Sequence, residues 1–61
     1  MSPAKTAPNS EQQAQDLLAE GMNCLALGRQ GRAEMWLRDV IDLFPDTTAA
    51  AEARGLLQQL R

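Results

Sequence analysis

The sequence predicts an all-α protein of three helices, in which an antiparallel helical hairpin is followed by a C-terminal capping helix. Apolar residues recur at three- and four-residue spacing in three separate stretches, and this is the period of an amphipathic helix. Gly28 and Gly31 mark a turn of about four residues, which is too short for anything but antiparallel neighbours. Pro45 ends the second stretch, because proline cannot continue a helical hydrogen-bond ladder.

Size and composition limit the chain to one small domain. Only Trp36 and Phe44 are aromatic, so the core must be built mainly from Leu, Ala and Met. Residues 1–9 contain two prolines and no hydrophobic period, which predicts a flexible tail. Residues 10–61 are predicted to form the domain.

The charges and the rarer residue types exclude several classes of function. Eight acidic and six basic residues are scattered along the chain, so we expect neither nucleic acid nor a membrane as a partner. With one cysteine and no histidine, we expect no internal disulfide, metal site or cofactor. Cys24 lies in a helical apolar pattern, which favours a buried, inert thiol over a reactive one. Without a signal peptide or a membrane span, the prediction is a cytoplasmic protein, although a piece of a larger exported protein would look the same.

The first helix is predicted to begin at Ser10, which forms a capping-box pattern with Gln13. Two apolar stripes follow along it. The first stripe has a small residue near its centre and consists of Ala14, Leu17, Gly21 and Cys24. The second lies beside it and consists of Leu18, Met22 and Leu25.

The second helix is predicted to run from about Arg32 to Phe44. Its buried face is Ala33, Leu37, Val40, Ile41 and Phe44, and Trp36 and Leu43 widen that face on one side. A third helix starts at one of the cap candidates Asp46, Thr47 or Thr48 and buries Ala49, Ala53, Leu56, Leu57 and Leu60. Glycine inside a helix costs about 1 kcal/mol, so Gly55 predicts a close approach of another backbone.

A short pattern of residues also recurs in the sequence after 34 positions. This offset pairs Ala19 with Ala53, Gly21 with Gly55 and Met22 with Leu56, and a fixed period of this length is typical of stacked helical hairpins. The stretch from Ala14 to Pro45 resembles one repeat of the tetratricopeptide repeat (TPR) family. The matching positions are Leu17, Gly21, the turn residue Gly28, Ala33, Leu37 and the closing Pro45.

The resemblance implies a concave surface that holds peptides or partner helices. In this chain the positions expected to face it are Gln15, Leu18, Ala19, Met22, Leu25 and Ala26. Two interpretations stay open. Either the third helix covers part of this apolar stripe and the rest is ordinary surface, or the stripe is an interface for a second copy or for a partner's amphipathic helix. Trp36 is a further candidate, either as an anchor for binding or as part of the core. The resemblance also implies one side of the hairpin that nothing in this chain covers.

No arrangement of residues in the sequence suggests catalysis, so we expect no enzyme and no small-molecule substrate. The leading hypothesis is a TPR-like module that binds a partner protein or itself, acting as an adaptor, chaperone or assembly subunit. The alternative is a purely structural homo-oligomer, a helical bundle with no separate partner.

Overall fold

The computed structural model describes residues 8–60 and contains three helices. These are α1 (Pro8–Ala26), α2 (Gln30–Leu43) and α3 (Thr48–Gln59). The helices pack pairwise on one another, so the predicted all-α hairpin with an added third helix is confirmed.

Helix α1 begins two residues before the predicted start. Proline is favoured at the first helical position, where its missing N–H has no partner to lose, and Pro8 occupies that position. Ser10 therefore lies inside the helix, and its predicted role as the N-cap is wrong. Of the predicted flexible tail, residues 1–7 lie outside the described residues, and residues 8 and 9 belong to α1.

The turn between α1 and α2 closes as the glycine pattern predicted. Gly28 has a φ of 80°, a left-handed conformation that costs glycine least. Its N–H donates to the carbonyl of Leu25 at 3.0 Å, and the N–H of Arg29 donates to the carbonyl of Cys24 at 2.8 Å. This pair of bonds is a Schellman motif and satisfies the last carbonyls of α1. Gly31 was expected in the turn but lies in the first turn of α2.

A glycine allows α1 and α2 to approach closely. A Cβ atom added at Gly21 would lie 3.1 Å from Leu37 Cδ2 and 3.3 Å from Trp36 Cβ. These distances are tighter than ordinary van der Waals contact, so the α1 backbone itself is the surface on which Leu37 packs. Cys24, one turn later on α1, is buried, as predicted.

Thr47 joins the end of α2 to the start of α3. Its hydroxyl donates to the carbonyl of Phe44 at 2.7 Å and accepts the N–H of Ala50 at 3.1 Å, so Thr47 is the N-cap of α3. The side chain is only 5% exposed. One buried oxygen thus fixes the angle between two helices.

Thr47→Val should therefore destabilise the fold by about 1–2 kcal/mol, because valine keeps the volume and removes both hydrogen bonds. Urea unfolding followed by circular dichroism measures the change. Thr47→Ser keeps the oxygen and is the matched control. Equal stabilities of the valine and serine variants would contradict a capping role.

The core lies between the three helices. Its largest cluster of buried residues consists mainly of small residues from α1 and α3 around two large residues of α2: Ala14, Leu18, Leu37, Val40, Ala49, Ala50 and Ala53. Ala33 of α2 is also fully buried. Leu17, Ile41, Phe44, Leu56, Leu57 and Leu60 are partly buried around it. The alanines bring α3 close to α2, and the leucines of α3 reach only the edge of the core.

The interpretation of Gly55 is wrong. A Cβ atom at this position would meet nothing within 4 Å, and the residue is exposed. In the described part of the chain, no other helix lies against that face of α3. The glycine therefore costs helix propensity without a packing role in this chain.

Candidate protein-binding surface

The predicted binding face of α1 is divided by α3. Leu18 is 3% exposed and belongs to the core, so its expected place on an open surface is corrected. Leu25 is partly buried, whereas Met22 is 48% exposed. Ala19 and Ala26 are exposed as expected. The start of the stripe is thus buried and Met22 is left in solvent. That the exposed part is an interface stays a prediction.

A polar cluster joins the start of α3 to α1. Glu11 Oε1 accepts the backbone N–H of Thr48 at 3.1 Å, and Oε2 accepts the Thr48 hydroxyl at 2.6 Å. Gln15 Nε2 donates to Glu11 Oε2 at 2.9 Å and to Thr48 Oγ1 at 3.4 Å. A carboxylate of α1 thus caps the positive end of α3. Gln15 is exposed, but its amide belongs to this cluster and is not a free groove residue.

These contacts change the ionisation of Glu11. The hydrogen bond from the Thr48 side chain, and then those from Gln15 and the Thr48 backbone, hold the pKa of the Glu11 carboxyl below its ordinary value of 4.5. The folded-state pKa is therefore lower than that of the unfolded chain. Ionised Glu11 stabilises the fold above the unfolded pKa, and this contribution is lost as the pH falls through the folded pKa.

We therefore expect the wild-type melting temperature to fall on acidification below about pH 4.5, and the fall to be smaller in Glu11→Gln, which has no carboxylate to protonate. Melting curves at a series of pH values measure this. In Thr48→Val, a ¹³C NMR titration should show the pKa of Glu11 raised toward its ordinary value. An unchanged pKa in that variant would show that Thr48 does not hold the carboxylate.

Within residues 8–60, one side-chain hydrogen bond joins the opposite end of α3 to α2. Gln30, the first residue of α2, donates from its side-chain Nε2 to the carbonyl of Leu60 at 3.1 Å. This bond satisfies one carbonyl at the C-terminal end of α3. The third helix is thus attached to α1 at one end and to α2 at the other.

Large apolar side chains stay exposed on the first two helices and the turn. Met22 is 48% exposed, and Leu27, Met35 and Leu43 are each between 63% and 65% exposed. Met35 and Leu43 lie on α2, Met22 on α1 and Leu27 at the start of the turn. None of the four belongs to the core or to the partly buried residues around it.

Four exposed residues of α2 and the partly buried Trp36 share one face, and the exposed Arg38 and Asp42 lie beside it. At steps of three and four residues along the helix this face carries Arg32, Met35, Trp36, Asp39 and Leu43, and we call it the α2 stripe. The first four line one open depression. Trp36 is partly buried because its Cβ lies against Gly21, and the other four are exposed. Sequence reasoning had set Trp36 apart as a candidate but missed Met35 and Asp39, although their helical spacing from Trp36 and Leu43 was visible.

Comparison with known proteins adds no further residue to this surface. No family model, curated protein or solved structure matches the chain. Within residues 8–60, no helix is both long enough and apolar enough to cross a membrane. The assignment of the surface therefore rests on the exposure and positions of its own residues.

Proposed function

We propose that this chain is a small helical protein-interaction module that binds another polypeptide through its exposed apolar surface. The observation that carries the proposal is the α2 stripe, where Met35 and Leu43 are each more than 60% exposed beside a partly buried Trp36. Single exposed apolar residues are normal on any protein. Met35, Trp36 and Leu43 lie together on one helix face and form a patch, and such patches mark interaction sites.

The proposal includes a relationship to the tetratricopeptide repeat family. Three features of the hairpin support it. Gly21 lies directly against Leu37, Gly28 adopts a positive φ in the turn, and Pro45 follows α2. In that family the repeats are platforms for binding, and the roles we propose are those of an adaptor, a chaperone or an assembly subunit. The fold does not choose among these roles.

A homo-oligomeric bundle is the second candidate. It is favoured by the placement of one basic and one acidic residue on either side of the apolar centre of the α2 stripe. A surface of that kind can be complementary to a copy of itself. In this case the partner is the same chain, and no catalytic step or small-molecule substrate belongs to either candidate.

Site-specific crosslinking in the native cell tests the proposal. A photoactivatable residue is placed at Met22, Met35 or Leu43, and at Glu52, an exposed residue of α3, as the matched control. We expect adducts with a polypeptide from at least one of the apolar positions and none from Glu52, and the mass of each adduct identifies its partner. If no apolar position gives adducts above the Glu52 background, the module is not an interaction protein.

A further inference from the structure

We propose that a second copy of this chain docks along the α2 stripe, with the two α2 helices antiparallel and related by a two-fold axis. This inference rests on the proposed function and names the partner of its apolar surface. It is carried by the charge pattern of the stripe and by the space available beside it.

The charges of Arg32 and Asp39 are complementary to those of a second copy only when the two α2 helices run antiparallel. Arg32 and Asp39 lie two helical turns apart, and the midpoint between them falls between Met35 and Trp36. A two-fold axis through that midpoint places Arg32 of one copy opposite Asp39 of the second copy, and the reverse pair forms by symmetry. Parallel docking in register would place like charges together instead.

The apolar residues occupy the centre of this arrangement. The axis brings Met35 and Trp36 of each copy against the same two residues of the other, so the most apolar part of the stripe is covered. The charged pairs then lie at the rim, where they set direction and register more than affinity. A foreign helix would have to supply an acid and a base at this same spacing, whereas a second copy already carries both.

Leu43 also has room in this arrangement. In an antiparallel pair the end of α2 in one copy lies near the turn before α2 in the other, where a Cβ atom at Gly28 would meet nothing within 4 Å. Leu43 is 63% exposed, so its side chain can extend past the end of α2 over the turn of the second copy.

The size of the stripe predicts a weak dimer. One helix face from each copy covers less than the roughly 1,200 Å² of total surface that stable specific complexes bury. A dissociation constant in the micromolar range is therefore expected, about 1,000-fold weaker than a nanomolar complex. Because the rim pairs are exposed, added salt should weaken the dimer further.

Sedimentation equilibrium between about 10 μM and about 1 mM protein tests the inference at low salt. The wild type should pass from monomer to dimer across this range. Arg32→Glu and Asp39→Arg should each raise the dissociation constant at least about 10-fold, because each places two pairs of like charges across the axis. The matched controls, with the same charge changes on exposed residues of α3, are Arg54→Glu and Glu52→Arg, and both should dimerise normally.

The decisive sample is an equimolar mixture of the two charge-reversed variants. Arg32→Glu in one copy meets Asp39→Arg in the other, the remaining native pair is intact, and the mixture should form a heterodimer. The double variant R32E/D39R should dimerise by itself for the same reason. Circular dichroism confirms that each variant is folded.

A monomeric wild type at about 1 mM would overturn the inference, as would dimers insensitive to the single substitutions or a mixture that stays monomeric. These failures are separate from failure of the proposed function. If crosslinks from Met35 or Leu43 lead to a different protein, the interaction module stands and the second copy is the wrong partner. If neither crosslinks nor dimers form, both proposals fail.

Discussion

Leu37→Ala is expected to destabilise the fold by about 2–5 kcal/mol, enough to unfold a large share of a domain this small. Leu37 is fully buried and, with Val40, is one of the two largest side chains that the structure buries completely. Its Cδ2 would lie 3.1 Å from a Cβ at Gly21, so it fills the contact between α1 and α2. Removing its isopropyl group leaves a cavity that the neighbouring backbone cannot fill without moving.

Urea unfolding monitored by circular dichroism measures this loss, and the shift of the midpoint at constant slope gives the change in stability. Leu43→Ala is the matched control, because Leu43 belongs to the same helix and is 63% exposed. It should change stability by less than about 0.5 kcal/mol. Similar losses in the two variants would show that the described core is not the one that holds the helices together.

Gly21→Val is expected to cost about 3 kcal/mol, at the upper end of the usual range for overpacking. Its Cβ alone would lie 3.1 Å from Leu37 Cδ2 and 3.3 Å from Trp36 Cβ, and the two methyl groups of valine extend further. Since the obstacle includes the stem of Trp36, rotation of a flexible side-chain end cannot relieve it. The two helices must move apart, which opens the core on the α3 side as well.

Gly55→Val is the control for this substitution. It makes the same chemical change inside a helix, at a position where a Cβ meets nothing within 4 Å, and should be neutral or stabilise by a few tenths of a kcal/mol. Thermal melting of both variants separates packing from helix propensity. Equal melting temperatures would mean that α1 and α2 do not approach closely at Gly21.

The elements that the sequence predicted best are those set by local chemistry. Gly28, Pro45 and Thr47 have conformational or capping roles that follow from residue type. Gly28 and Pro45 lie where the pattern placed them, and Thr47 is one of the three cap candidates. Gly21 was predictable because a small residue in the middle of an apolar stripe implies a close neighbour. The start of α1 was missed because Ser10 competed with Pro8, and both residue types favour helix starts.

The parts that the sequence did not predict depend on contacts between distant residues. Glu11 and Thr48 are separated by 37 positions, and no local pattern indicates that a carboxylate of α1 caps α3. Leu18, which had been assigned to the open face, is buried in one cluster with alanines of α3. Gly55 was misread for a related reason, because the residue type alone does not show whether another helix packs against a glycine. The α2 stripe was recognised only in part. The exposed residues of a helix follow the same period as its core residues, so the period alone does not mark where one face ends and the other begins.

The unequal attachment of α3 has a consequence for how the protein opens. The Thr47 cap, the Glu11 carboxylate and three fully buried alanines hold the first half of the helix, whereas the second half has partly buried leucines and one side-chain hydrogen bond from Gln30. Fraying should therefore begin at the C-terminal turn and travel toward Thr47, so the backbone amides of that turn exchange with solvent first. A helix that peels back from its last turn uncovers the edge of the core while the hairpin remains folded.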